Sequence, residues 1–358
     1  MNYVMLKDVC AINMGQSPDS NSYNDNGEGV PFFQGNADFG ERYPVTRKWC
    51  SAPTKMAAPE DILISVRAPI GALNYAKEEC CIGRGLAALT PDKSKVSSEF
   101  IFWLLKSKNE ELNNKGTGST FKAIGRKDLE ETMVPDISLD KQLEYSDALE
   151  RVYGIIHARK QELKKLDDLI KARFVEMFGD PDINSKGWDE YPLSEKLNVL
   201  GGYAFKSDQY DENEGIPVLR IGNINAGYFK PVNMVYWKED ESLERYAMYP
   251  GDLVMSLTGT VGKDDYGNVC ILGDDYEMYY LNQRNAKLEI KEGIDKYYLS
   301  QLLKFEQIKK RLTGISRGVR QANISNKDIL NLVVPVPPME IQEQFASFVH
   351  QVDKSKVA

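Results

Sequence analysis

Two short stretches concentrate the residue types that hold phosphate and read base edges. In the first, Lys115, Lys122, Arg126 and Lys127 surround the run Gly116-Thr117-Gly118-Ser119-Thr120. In the second, Lys304, Lys309, Lys310, Arg311, Arg317 and Arg320 gather around residues 314–318, with Glu306 as their one acidic neighbour, and Gln321 and Asn323 follow directly. A Gly/Ser loop lets backbone approach a phosphate, and Lys or Arg supplies the charge that displaces counterions. Arg317, Arg320, Gln321 and Asn323 carry the donors and acceptors that pair with base edges in a major groove. The bland alternative is a solvated helix and loop. Recurrence of the pattern in both halves of the chain favours nucleic acid.

Further candidates flank these stretches. Gln34 and Asn36 follow Gly29-Val30-Pro31-Phe32, as Arg220 and Asn223 follow Gly215-Ile216-Pro217-Val218. These four are either base readers or turn residues, because Asn favours turns. Arg67 and Lys263 lie near Gly71 and Gly262 and are phosphate candidates. Arg84 and Arg284 recur between apolar residues, as do Asp61 and Asp252. A buried charge needs a partner, so an Arg–Asp pair inside each half is expected in preference to the alternative, a DNA contact.

No catalytic constellation accompanies these residues. A Gly-x-x-x-x-Gly-Lys-Ser/Thr loop is absent, as are a glycine-rich cofactor turn and an Asn-Pro-Pro-aromatic run. His157 and His350, the two histidines, fall in helical segments and read as coiled-coil positions, not as a base or metal pair. Cys10, Cys50, Cys80, Cys81 and Cys270 lack Cys-x-x-Cys spacing and read as reduced thiols, with Cys80 and Cys81 in a strand. No metal and no cofactor is therefore expected in this chain. Without a signal-like or membrane-spanning apolar run, a cytoplasmic protein with no membrane partner is expected. The net charge of -8 means that any nucleic-acid contact depends on local positive charge.

The elements that must position these residues occur twice. Pro59-Glu60-Asp61-Ile62-Leu63-Ile64-Ser65-Val66 matches Pro250-Gly251-Asp252-Leu253-Val254-Met255-Ser256-Leu257. Arg84-Gly85-Leu86-Ala87-Ala88-Leu89 lines up with Arg284-Asn285-Ala286-Lys287-Leu288, Lys127-Asp128-Leu129 with Lys327-Asp328-Ile329, Val134-Pro135 with Val334-Pro335, and Gln142 with Gln342. The order is kept at a spacing near 200 residues (roughly), too long for a solenoid, so the chain contains a duplicated domain. Each copy runs from short strands to a helix, then a glycine loop and a final strand. After the first copy, Leu149, Ile156, Leu163, Ile170 and Met177 stand seven apart, the pattern of a coiled-coil seam. Ile341, Phe345, Phe348 and Val352 mark a second helix about half as long. The expected fold class is α/β: two globular α/β domains in tandem (1–137 and 181–337), separated and braced by two long helices (138–180 and 338–358) whose seams pack on each other in a coiled coil, the alternative being that each lies on its neighbouring domain.

This plan resembles the specificity subunit of type I restriction-modification enzymes. The residues that carry the resemblance are Pro250-Gly251-Asp252-Leu253-Val254-Met255-Ser256 with Gly259 and Gly262, and the first-half run through Gly71. Lys171-Ala172-Arg173-Phe174-Val175-Glu176-Met177-Phe178-Gly179-Asp180-Pro181, and Val334-Pro335-Val336-Pro337-Pro338 leading into Gln342, also match. The resemblance implies two target recognition domains, each reading half of a split site in double-stranded DNA, and two helices that form an antiparallel coiled coil setting the distance between the half-sites. It implies a non-catalytic chain docked to adenine methyltransferase (modification) subunits, two of them, and through these to restriction-translocation subunits. S-adenosylmethionine, ATP and Mg would belong to those partners. Leu149, Ile156, Leu163, Ile170 and Phe174 are the residues expected to face a partner helix or subunit. A coiled-coil scaffold, or a self-contained DNA-modifying enzyme with an unrecognised site, is the alternative.

Overall fold

The computed structural model describes residues 2–118, 122–314 and 321–357. The chain divides into two compact units, Met1–Arg159 and Lys160–Ala358.

In the first unit a four-stranded antiparallel sheet has the order Cys10–Met14, Leu86–Pro91, Ile62–Ser65, Leu73–Tyr75. Its two central strands read as continuous apolar runs because both faces are covered, while side chains alternate between them. Ile62, Ile64, Ala87 and Leu89 meet the helix Ser98–Ser107 through Ile101 and Leu105. Leu63, Leu86 and Ala88 meet Phe33 and Ile82 of a second sheet. That second sheet contains one parallel pairing, Val30–Phe33 with Cys80–Ile82. The helix starts where Ser97 Oγ accepts the Phe100 N–H at 3.1 Å.

The second unit repeats this plan. Its four-stranded sheet runs Leu197–Gly201, Asn285–Ile290, Leu253–Ser256, Val269–Ile271. Leu253, Met255, Ala286 and Leu288 face the helix Lys296–Leu303, capped by Asp295 through the N–H groups of Tyr297 and Tyr298. Val254 and Cys270 face the second sheet, where Ile216–Leu219 again runs parallel to Tyr279–Leu281. A ribbon of Thr258–Thr260 with Gln321–Asn323 is added.

Strand register corrects the repeat alignment by one residue. Leu86 pairs with Ser65, and Asn285 pairs with Ser256. Leu86 is thus the counterpart of Asn285, Gly85 of Arg284, and Arg84 of Gln283. By the parallel pairings, which join Phe33 to Ile82 and Leu219 to Leu281, Gln34 is the counterpart of Arg220.

The long helix is continuous from Leu139 to Phe178, and the last helix covers Met339–Val357. Each is plugged into its own unit by a buried glutamine. Gln142 Oε1 accepts the Ser97 N–H at 2.9 Å, and Nε2 donates to the Ile137 carbonyl at 2.9 Å. Gln342 does the same with the Asp295 N–H at 2.8 Å and the Pro337 carbonyl at 2.6 Å. Within the second unit the last helix lies antiparallel to the end of the long helix. Phe345 meets Phe174 and Phe178 at ring separations of 5.4 Å, and Lys356 reaches Asp167 at 2.7 Å.

The expected seven-residue seam is not buried along its length. Leu149 and Ile156 are 46% and 48% exposed, Leu163 is half-buried, and Ile170 is 6% exposed. Ile170 and Phe174 do face the second helix, packing in the second unit's core with Phe345, Val349 and Val352, so they are not open to a separate subunit. The cause is a change of face. Over its first half the helix turns Gln142, Ser146, Glu150 and Tyr153 toward the first unit, and Arg42 ties to Glu150 at 3.0 Å. The histidines likewise face their own units, His157 against Glu41 and His350 against the Tyr297 ring. Among the described residues, no helix is long and apolar enough to cross a membrane.

Candidate nucleic-acid interface

In the first unit one end of the central sheet gathers polar side chains from three segments. Gln34 is exposed immediately after the strand Val30–Phe33, and its N–H donates to Asp38 Oδ2 at 2.8 Å. Asn36 opens the short turn Asn36–Asp38. Arg67 leaves the strand Ile62–Ser65, with its backbone bridged to Ala123. With Arg84 these residues line a cleft of about 210 Å³. The Ala68 N–H donates to the Lys122 carbonyl at 3.0 Å, which brings Lys122 to the edge of the same face.

Other members of the first basic cluster are neutralised locally. Arg126 donates to the Ile12 carbonyl at 2.6 Å and pairs with Glu130 at 3.3 Å. Lys127 pairs with Glu131 at 3.7 Å. Lys115 pairs with Glu111 at 2.8 Å, and hydrogen bonds from Lys108 and Lys115 hold the Glu111 carboxyl down at about 2. Lys122 is exposed and forms no ion pair among the described residues. These acids lie three or four residues away along their helices, where charges meet side by side.

In the second unit Arg220 follows the strand Ile216–Leu219, and its guanidinium donates to the Asn233 carbonyl. Arg220, Gln283 and Arg284 share a cleft of about 610 Å³ with Phe205 and Tyr210. Asn223 is not available as a base reader. It is buried, accepts the Arg220 N–H at 2.9 Å, and donates to the Lys230 and Val232 carbonyls at 3.1 and 3.0 Å, so it braces the loop from inside. Lys263 is exposed in a turn closed by its N–H on the Thr260 carbonyl at 3.0 Å. Asn323 is exposed on the added ribbon, opposite Thr258, and Gln321 lies on the same strand. Arg317 and Arg320 lie outside the described residues. The second basic cluster also meets more acid than its sequence suggests: Lys309 is buried against Asp264 and Asn268, and Arg311 reaches Asp182 at 3.1 Å.

The expected Arg–Asp pairs do not form. Asp61 accepts the Thr90 hydroxyl at 2.7 Å and the Ala58 N–H at 2.8 Å. Asp252 pairs with Lys287 at 2.8 Å and accepts the Tyr249 N–H at 2.8 Å. Antiparallel register explains this. Leu86 sits opposite Ser65 and Leu89 opposite Ile62, so Arg84 emerges beside Arg67 while Asp61 lies at the other end of the strand pair. Arg84 and Arg284 are both exposed. Sequence reasoning missed them as surface residues. The available signal was that each stands before its buried run, not within it.

Among the described residues, no group of three His, Cys, Asp or Glu side chains is placed to hold a metal ion. The five cysteines are free and buried.

The arrangement is that of a duplicated domain with a polar, partly cationic cleft at the same sheet end of each copy. A family model for the type I restriction modification DNA specificity domain matches residues 1–166 and 185–358, and the chain belongs to that family. A protein provisionally named the type I restriction enzyme MjaX specificity subunit, from Methanocaldococcus jannaschii, is 43% identical over 156 residues, which is 44% of this chain and 37% of that protein. The type I restriction enzyme MjaVIII specificity subunit of the same organism is 26% identical over 280 residues, 73% of this chain and 65% of its own length. The chain thus spans less than two thirds of either relative. The solved type I restriction-modification system S subunit from M. genitalium aligns over 99% of this chain and 90% of its own, with a TM-score of 0.59 at 16% identity. That likeness establishes the shared fold.

Proposed function

We propose that the chain is the DNA-sequence recognition subunit of a type I restriction-modification complex, and that it catalyses no reaction itself. The observation that carries this reading is the pair of polar clefts at equivalent strand ends of a duplicated domain, within a family defined by DNA specificity. Two non-identical clefts fit an asymmetric, bipartite site in double-stranded DNA. In the first unit, Gln34, Asn36 and Arg67 are the candidate contacts, with Lys122 on phosphate. In the second, Arg220, Lys263 and Asn323 take these roles, with Gln321, Arg317 and Arg320 retained from the sequence.

The bound site is presented to methyltransferase subunits, two if each domain serves one, and through them to restriction subunits. S-adenosylmethionine, ATP and Mg act on those subunits in this reading. The exposed apolar residues Leu149, Val152 and Ile156 on the long helix are the candidate docking face for a modification subunit.

Selection of the full chain on a randomised duplex pool tests the proposal. Enrichment of a split motif is expected. Retention of the pool without sequence preference would reduce the chain to a nonspecific scaffold. Methyl transfer from S-adenosylmethionine by the purified chain alone would make it an enzyme.

A further inference from the structure

Resting on the recognition role proposed above, we infer that Arg84 and Arg284 are the base-reading residues of their domains, each taking the O6/N7 edge of a guanine in the major groove of its half-site. A phosphate contact needs only charge in the right region. A base contact needs a donor fork held in one place. Both arginines have that support. The Arg84 N–H donates to Ser17 Oγ at 3.3 Å. The next residue is fixed on both sides, with the Gly85 N–H on the Gln34 carbonyl at 3.1 Å and the Val66 N–H on the Gly85 carbonyl at 2.9 Å. A Cβ at position 85 would lie 2.4 Å from the Gln34 carbonyl oxygen, so this close approach requires glycine. In the second unit the Arg284 N–H donates to Asn282 Oδ1 at 3.1 Å, and its carbonyl accepts the Leu257 N–H at 2.8 Å.

The side chains are free where the backbone is fixed. Both arginines are exposed, and neither guanidinium makes a hydrogen bond or ion pair among the described residues. Arg126 and Arg311, by contrast, are consumed by Glu130 and Asp182. Each free guanidinium has an amide neighbour suited to an adjacent base: Gln34 and Asn36 beside Arg84, and Gln283 beside Arg284. The paired donors of Arg match the two acceptors of guanine, the commonest specific contact in this groove. Because Arg84 corresponds to Gln283 and Arg284 to Gly85, the two domains present the fork one residue apart on one framework. The two half-sites should therefore place their guanines at different offsets.

The test uses the full chain carrying Arg84→Ala, Arg84→Lys, Arg284→Ala or Arg284→Lys, selected on a randomised duplex pool and then titrated against single-base variants of the selected site. Each Arg84 variant should lose discrimination at one guanine of one half-site by about 5- to 150-fold. Each Arg284 variant should do so in the other half-site. Melting temperature should be unchanged, and the slope of log affinity against log salt should stay nearly constant. Lysine keeps the charge but lacks the fork, so it should not restore the preference. A motif left intact in the alanine variants would overturn the inference. So would a uniform loss of affinity across sequences with the salt slope lowered by about one and restored by lysine, since that pattern marks a phosphate contact. If the native chain itself selected no motif, the recognition role would fail before these residues were at issue.

Discussion

Replacing Gln342 by alanine should unfasten the last helix from the second unit without touching the first. The side-chain amide is fully buried, accepts the Asp295 N–H at 2.8 Å, and donates to the Pro337 carbonyl at 2.6 Å. Asp295 also caps the helix Lys296–Leu303, so its position matters twice. Alanine leaves one buried donor and one buried acceptor unpaired, each costing about 1–3 kcal/mol. With partial relaxation the sum is about 2–4 kcal/mol. Native-state hydrogen exchange reads this directly. Protection of residues 296–303 and 339–357 should fall by about 30- to 700-fold, while residues 98–107 keep theirs. Gln142→Ala should reverse the pattern, because its amide joins Ser97, Lys95 and Ile137 in the first unit. Unchanged protection of 296–303 in Gln342→Ala, or equal losses in both units, would refute the claim that each glutamine pins its own unit.

Other substitutions separate free surface from frame. Ile156→Lys, at an exposed position, should change stability by no more than about 0.5 kcal/mol yet reduce co-purification of a modification subunit, whereas Ile170→Lys should unfold the second unit in a thermal melt. Lys122→Ala should lower the salt slope of DNA binding by about one and weaken specific and random duplexes alike, as measured by titration across salt. Burial pushes the thiols of Cys10, Cys80 and Cys270 up to about 12. These thiols stay protonated below that value, so iodoacetamide at pH 8 or 9 should leave the native chain unlabelled at these positions and label it after urea unfolding. Mass spectrometry showing fast native labelling would contradict that burial.

The duplication, the strands and both helices were legible because they rest on apolar periodicity and on residues repeated for packing. Ile62, Leu63 and Ile64 announce a strand covered on two faces, and that is what forms. The long helix shows where periodicity misleads. Leu149 and Ile156 continue the seven-residue row of Ile170, but the first unit takes the opposite face through Gln142 and Ser146, whose polarity hid their burial, and through Glu150, which pairs with Arg42. Charge was harder still to read. The acids that neutralise Lys127 and Arg311 are Glu131, one helical turn away, and Asp182, far off in the chain. Neither pairing follows from the local run of basic residues. Asn223 was legible as a loop residue, but whether its amide turned inward or outward depended on carbonyls at 230 and 232.

What recurs between the copies is mostly frame. Ser65 accepts the Ala72 N–H at 2.9 Å, and Ser256 accepts the Asn268 N–H at 3.1 Å, each holding the loop that follows its strand. Asp61 and Asp252 both accept an N–H three residues upstream, from Ala58 and Tyr249, which closes the turn into the strand. Gln142 and Gln342 anchor the helices. Such residues are kept in two diverging copies because buried polar groups tolerate few substitutes. The positions beside them that differ, Gln34 against Arg220 and Arg84 against Gln283, stand at the exposed strand ends. Their side chains can change with little effect on packing, since the backbone beneath them is held by the repeated residues. A frame of this kind lets one domain change the side chains at its strand ends while the other keeps its own.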